Sequence, residues 1–218
     1  MEIKMIYVDE HMAVCLKPVG LESEEAGMVR ELSRQLGGEF FCVHRLDKAV
    51  GGLMVYARDK KTAAALSADI AGGKLIKEYV AAVSGCPAEE QGILKDLLFH
   101  DKARNKSYPV SRLRRGVKEA KLEYRLLERR DDASLLRIRL HTGRSHQIRV
   151  QFASRAMPLL GDIKYGSRER RCGIALWSCR LAFNQPGTGR SMDFELMPPG
   201  EFPWNRFDCL KASQSGGA

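Results

Sequence analysis

The sequence predicts an α+β protein: a mixed, mostly antiparallel β-sheet with flanking helices. Strand-like segments outnumber helical ones. Several are joined by turns too short for the crossover that parallel neighbours need. Residues 120–140 carry two apolar runs around Asp131-Asp132, the pattern of a hairpin.

Residues 3–8 and 12–17 read as the first two strands, separated by the turn-like Asp9-Glu10-His11. Pro18 and Gly20 end the second. Val29, Leu32 and Leu36 recur at helical spacing, which predicts a helix over 27–36, stopped by Gly37-Gly38. Short strands follow at 40–43 and 53–57. Asp59 is placed to cap a helix whose face is Ala63, Leu66 and Ile70, ended by Gly72-Gly73.

Residues 74–85 read as a long strand and 88–107 as an irregular piece. In the second arm of the hairpin, Leu136, Ile138 and Leu140 alternate with Arg137, Arg139 and His141. That basic face either meets solvent or holds a ligand. Thr142 or Ser145 is expected to cap a helix burying Ile148 and Phe152. A loop-like stretch follows Pro158. Strands are expected at 173–183 and 191–197, with a turn through Pro186-Gly187 between them. Residues 1–210 are expected to form a single domain and 211–218 a disordered tail.

Composition narrows the function. The chain has 218 residues, 44% hydrophobic, enough to bury a core without staples. No apolar run approaches the ~20 residues that cross a bilayer, and the start does not resemble a signal peptide. The expectation is a cytoplasmic protein with no membrane association. Six cysteines lie scattered, with no C-x-x-C pair and no zinc spacing, and read as small buried hydrophobes. The net charge of +9 suggests a polyanionic partner such as nucleic acid.

Three segments could carry chemistry. In "FCVHRLDKAVGGLMVYARD", Asp47 is the only carboxylate between Phe41 and Tyr56, with His44, Arg45 and Lys48 beside it. These residues fit a salt-bridged turn. They also fit a carboxylate kept ionised by neighbouring cations, available as nucleophile or general base. In "HTGRSHQIR", Arg144 and Arg149 offer planar donors suited to phosphate or carboxylate, and His146 and Gln147 add further polar groups. The same segment fits a capped amphipathic helix. Tyr79, in "KEYVAAVSG", fits strand packing or stacking on a base. No glycine-rich phosphate loop and no nucleophile-elbow motif is present.

Together these segments resemble the pseudouridine synthases of the RluA type. "HRLDKAVGGLMVYAR", "KEYVAAVSG", "HTGRSHQIRV", "LGDIKYGS" and "IALWSCRLAF" are similar to five of that family's segments, in the family's order. The opening "IYVDEHMAVCLKPVGL" resembles its first strands. The resemblance implies the pseudouridine synthase catalytic fold and the isomerisation of uridine in RNA to pseudouridine. Asp47 would be the essential carboxylate, attacking the nucleotide or removing a ribose proton. Arg144 would pair with Asp47, and Tyr79 would pack against the target base.

The resemblance implies no metal and no organic cofactor. The implied partner is ribosomal or transfer RNA. Candidate RNA contacts are His44, Arg45, Arg104, Lys106, His146, Gln147 and Arg149, with Arg112, Arg114 and Arg115 as further basic positions. No N-terminal S4 RNA-binding domain is expected, and a monomer is, since no exposed apolar seam is evident.

The chain departs from the family's pattern at three places. Val50-Gly51-Gly52 replaces Thr-Ser-Gly, Gln151 replaces a histidine, and Trp177 replaces the histidine of the late strand. The lost hydroxyls motivate an alternative, a catalytically inactive RNA-binding protein on the same scaffold. A basic protein of another fold is the third reading.

Overall fold

The structure is a computed structural model that describes residues 1–214. It is α+β: strands predominate, a few short helices accompany them, and the pairings are mostly antiparallel. The chain was expected as one domain over 1–210. Its residues group into two compact units, Met1–Lys77 with Trp177–Leu196, and Glu78–Leu176 with the residues from Met197 on.

In the first unit, β1 (Met5–Val8), β2 (Met12–Lys17), β4 (Gly51–Ala57), β10 (Leu176–Asn184) and β11 (Ser191–Glu195) lie in that spatial order. The short β3 (Phe41–Cys42) also pairs with β4. All these pairings are antiparallel except β4 with β10, which run parallel. Every residue of β4 is buried, as a central strand requires. Met12 and Val14 of β2 and Leu53 and Val55 of β4 pack with Leu66 of α2 (Lys60–Ala71). Burying Leu66 fully contributes about 1.5–3 kcal/mol. Asp59 caps α2 as expected, its Oδ1 accepting from Thr62 N at 2.7 Å.

The predicted helix over 27–36 is regular only as α1 (Arg30–Leu36). The turn before it kinks at Gly27, where a Cβ would lie 2.1 Å from Glu22 O. That close approach of two backbones demands glycine.

In the second unit the spatial order is β5 (Ile76–Ser84, from Glu78 on), β9 (Ala133–Leu140), β8 (Val117–Arg129), β6 (Gln91–Asp101) and β7 (Lys106–Val110). The hairpin expected over 120–140 is β8 and β9, with Leu122, Leu136 and Ile138 buried. The irregular piece expected over 88–107 is instead strands β6 and β7. Only Leu94 and Leu98 of β6 are buried, and Asp96 between them ties Gln151 and Arg155 of the following helical segment. A polar residue at a core-facing position hid the alternation.

Helix α3 (Gln147–Ala153) buries Ile148 and Phe152. Neither Thr142 nor Ser145 caps it. The N-cap residue is His146, in the left-handed region at φ 55°. The last element, α4 (Asp208–Gln214), runs into the segment expected to be a disordered tail, anchored where Cys209 N donates to Glu128 at 2.9 Å. The rest of that expected tail, residues 215–218, lies outside the described residues. Among the described residues, no helix is long and apolar enough to cross a membrane.

Candidate active site

Asp47 sits half-buried in the loop between β3 and β4, in the first unit. The loop is held by its own backbone. Leu46 exchanges two hydrogen bonds with the Ser23 hydroxyl: its N–H donates at 3.0 Å and its carbonyl accepts at 2.9 Å. Val50 N donates to Asp47 O at 2.9 Å, closing the turn, and Gly20 N donates to Lys48 O at 2.8 Å.

His44 anchors the loop from below. Its Nε2 accepts from Val55 N at 3.2 Å, so the neutral ring carries its proton on Nδ1. Burial, with the Lys77 charge adding to it, lowers its pKa to about 3. The flanking cations reach outward: Arg45 pairs with Glu24 at 3.2 Å and Lys48 with Glu22 at 3.3 Å, both exposed.

The cation under the loop is Lys17, which the sequence reading overlooked. It is fully buried, and Nζ donates to Leu21 O at 2.6 Å, Pro18 O at 2.9 Å and Lys48 O at 3.4 Å. Burial, partly offset by the charge of Asp47, brings its pKa down to about 8. Lys17 thus ties the end of β2 to the residue after Asp47. A lysine at the end of a strand reads as solvated, and the only cue in the sequence was the turn Lys17-Pro18-Val19-Gly20.

The second unit holds Tyr79 and Arg144. Tyr79 is buried on β5, beside Glu78, which accepts from Arg137 at 2.6 Å. The loop bearing Arg144 is clamped by the buried amide of Gln147. That amide accepts from Arg144 N at 3.0 Å and from the Thr142 hydroxyl at 2.8 Å, and donates to Lys121 O at 3.1 Å. Arg144 Nε donates to Glu119 O at 2.8 Å, which holds the stem of the guanidinium.

Arg149, expected to meet RNA, is buried in a bidentate pair with Asp162 at 2.7 and 2.9 Å. Its guanidinium also lies over the Tyr165 ring, 5.1 Å from the centroid. Tyr165 joins three segments: its hydroxyl accepts from Ser107 N at 2.7 Å and lies 2.9 Å from His146 Nδ1. The Ser107 hydroxyl donates to Ser145 O at 2.6 Å. Arg144, His146, Gln147 and Arg149 are thus brought together, three of them buried. Arg104 lies exposed in the turn between β6 and β7, and Lys106 stacks over Tyr165 at 5.2 Å. Asp162 and Tyr165 come from "LGDIKYGS", whose match to the family was visible but whose role was not.

A family model described as RNA pseudouridylate synthase matches residues 11–154, and the chain belongs to that family, isomerases acting on RNA. It is 31% identical over 222 residues to the ribosomal large subunit pseudouridine synthase D of Zymomonas mobilis, covering 90% of this chain and 69% of that one. It is 31% identical over 209 residues to the dual-specificity RNA pseudouridine synthase RluA of Escherichia coli, covering 91% and 93%. The human RNA pseudouridylate synthase domain containing 1 superposes with a TM-score of 0.79 at 19% identity, covering 99% of this chain and 95% of that one, a likeness of fold. Of other curated relatives the chain spans about half the length, 52% and 53% in two cases.

Proposed function

We propose that this chain isomerises specific uridines in ribosomal or transfer RNA to pseudouridine, with Asp47 as the catalytic carboxylate. The observation that carries this reading is the loop itself. A chain in a family of RNA isomerases buries a full ammonium charge, Lys17, beneath the one carboxylate of its most distinctive motif. A buried charge is costly unless it is paired and hydrogen-bonded. A simple surface turn has no need of it.

In the proposed reaction the base detaches at nitrogen, turns, and rejoins through carbon 5. Asp47 either attacks the nucleotide or removes a ribose proton. Tyr79, against the base, and Arg144, with the carboxylate, complete the catalytic set on the strength of the matched motifs. The net charge of +9 supports an RNA partner held by its phosphates. Among the expected contacts and further basic positions, Arg45, Arg104, Lys106, Arg112, Arg114 and Arg115 are the exposed or half-exposed cations. His44, His146, Gln147 and Arg149 are buried and are assigned to shaping the loops. The name of the Zymomonas relative supports a ribosomal target.

The test is pseudouridine mapping of total RNA from cells with and without the protein, complemented by wild type or Asp47→Ala. Loss of one or a few sites, restored by wild type alone, is the expected result. Incubation of pure protein with unmodified RNA tests the same activity directly, and no product from either experiment would refute it.

A further inference from the structure

Trp177 pairs in parallel register with Gly51, the first residue of β4. Its indole is buried, and Nε1–H donates to Leu196 O at 2.8 Å, which fixes the ring. The benzenoid edge lies directly over Gly51. A Cβ there would sit 2.6 Å from Cζ3, 3.0 Å from Cε3 and 3.2 Å from Val19 Cγ2. No side chain at position 51 can coexist with the ring as placed. Gly51 is not among the positive-φ glycines, so its glycine answers to the ring rather than to backbone conformation.

The next residue, Gly52, is different. Its φ is +124° and a Cβ would lie 2.3 Å from Ser178 O, so glycine is required there twice over. Both glycines open β4, paired with β10 at Trp177 and Ser178 and, at Gly52, with Lys17 of β2. The Trp177 ring packs where the Asp47 loop enters that strand, next to buried Val50.

We propose that Trp177 is a positioning residue for Asp47, its ring fixing the point at which the loop enters β4. This rests on the reading of Asp47 as the catalytic carboxylate. Removing the ring opens a cavity beside two glycines, and a shift of about 1 Å at a reacting group can cost roughly a hundredfold in rate.

The test combines two readouts. One is single-turnover pseudouridine formation on an unmodified transcript of large-subunit ribosomal RNA. The other is amide hydrogen exchange over residues 44–52 in the free protein. Trp177→Ala should speed exchange at Val50 and lower the rate roughly 10- to 100-fold, with RNA affinity changed by less than about twofold. Trp177→Phe, which keeps a ring, should largely retain both. Gly51→Ser should be damaging alone and markedly less so when combined with Trp177→Ala, since the two compete for one volume.

Full rate and unchanged exchange in Trp177→Ala, or plain additivity of the pair, would overturn the proposal. If Trp177→Ala does not fold, Trp177→Leu and the Gly51→Ser exchange arm carry the same comparison. If wild type forms no pseudouridine in this transcript or in total unmodified RNA, the functional reading fails by itself. The exchange arm then decides whether Trp177 holds the loop: lost protection at Val50 supports it and unchanged protection refutes it.

Discussion

The ammonium of Lys17 ends 3.4 Å from the carbonyl oxygen of Lys48, so the last residue of β2 grips the chain one residue beyond Asp47. Two nearer carbonyls, of Pro18 and Leu21, complete its cage. Lys17→Met keeps the apolar stem but takes this donor from the Pro18 and Leu21 carbonyls, while the Lys48 carbonyl keeps its bond from Gly20 N. Each buried unsatisfied group costs about 1–3 kcal/mol. The expected result is a loss of at least that size in urea unfolding, and a fall in pseudouridine formation larger than the loss of RNA affinity.

Asp47 also acts back on Lys17. Burial lowers the lysine pKa and the aspartate opposes it, leaving it at about 8. Asp47→Asn should therefore shift the Lys17 titration to lower pH, followed by NMR of its ε-methylene protons. An unchanged titration would separate the two residues.

His44 makes stability depend on acid. Burial holds its pKa at about 3, well below the ordinary 6.5 of a histidine, so the unfolded chain takes up a proton that the folded chain refuses. Its contribution is fully present above 6.5 and is lost as pH falls toward about 3. His44→Phe should flatten the pH dependence of urea unfolding by up to one proton across that window.

Arg149 and Asp162 form a buried ion pair, and such pairs are far more costly to halve than to hold. Asp162→Ala should destabilise by about 3–5 kcal/mol, leaving an uncompensated guanidinium. The double variant Arg149→Met/Asp162→Leu should cost clearly less. Thermal unfolding of the three proteins checks the ordering.

Arg144→Ala should lower turnover more than RNA binding, because its loop is set independently by Gln147. Rate and affinity measured separately on the same RNA decide it; full turnover would remove Arg144 from the proposed site.

Much of this was legible in the sequence, for physical reasons that differ by element. Alternation exposed β8 and β9, and the cap at Asp59 exposed α2, because both signals are local. Strands β6 and β7 were hidden because Asp96 faces inward to bind Gln151 and Arg155, a partnership between distant segments. The motif around Asp47 was plain, and the cations beside it in the sequence are Arg45 and Lys48. Those turn out to Glu24 and Glu22, while Lys17 arrives from another strand. Arg149 looked like a phosphate donor because its acceptor, Asp162, lies beyond the end of its own helix.

Trp177 and Gly51 occupy a single volume, and this constrains how the chain can change over generations. A side chain gained at position 51 is lethal to the packing while the indole remains. Losing the indole first leaves a hole with nothing to fill it. Gain of a side chain at position 51, or loss of the ring at 177, therefore passes through a worse intermediate, and the two positions are expected to change together. Lineages of this protein should carry both or neither.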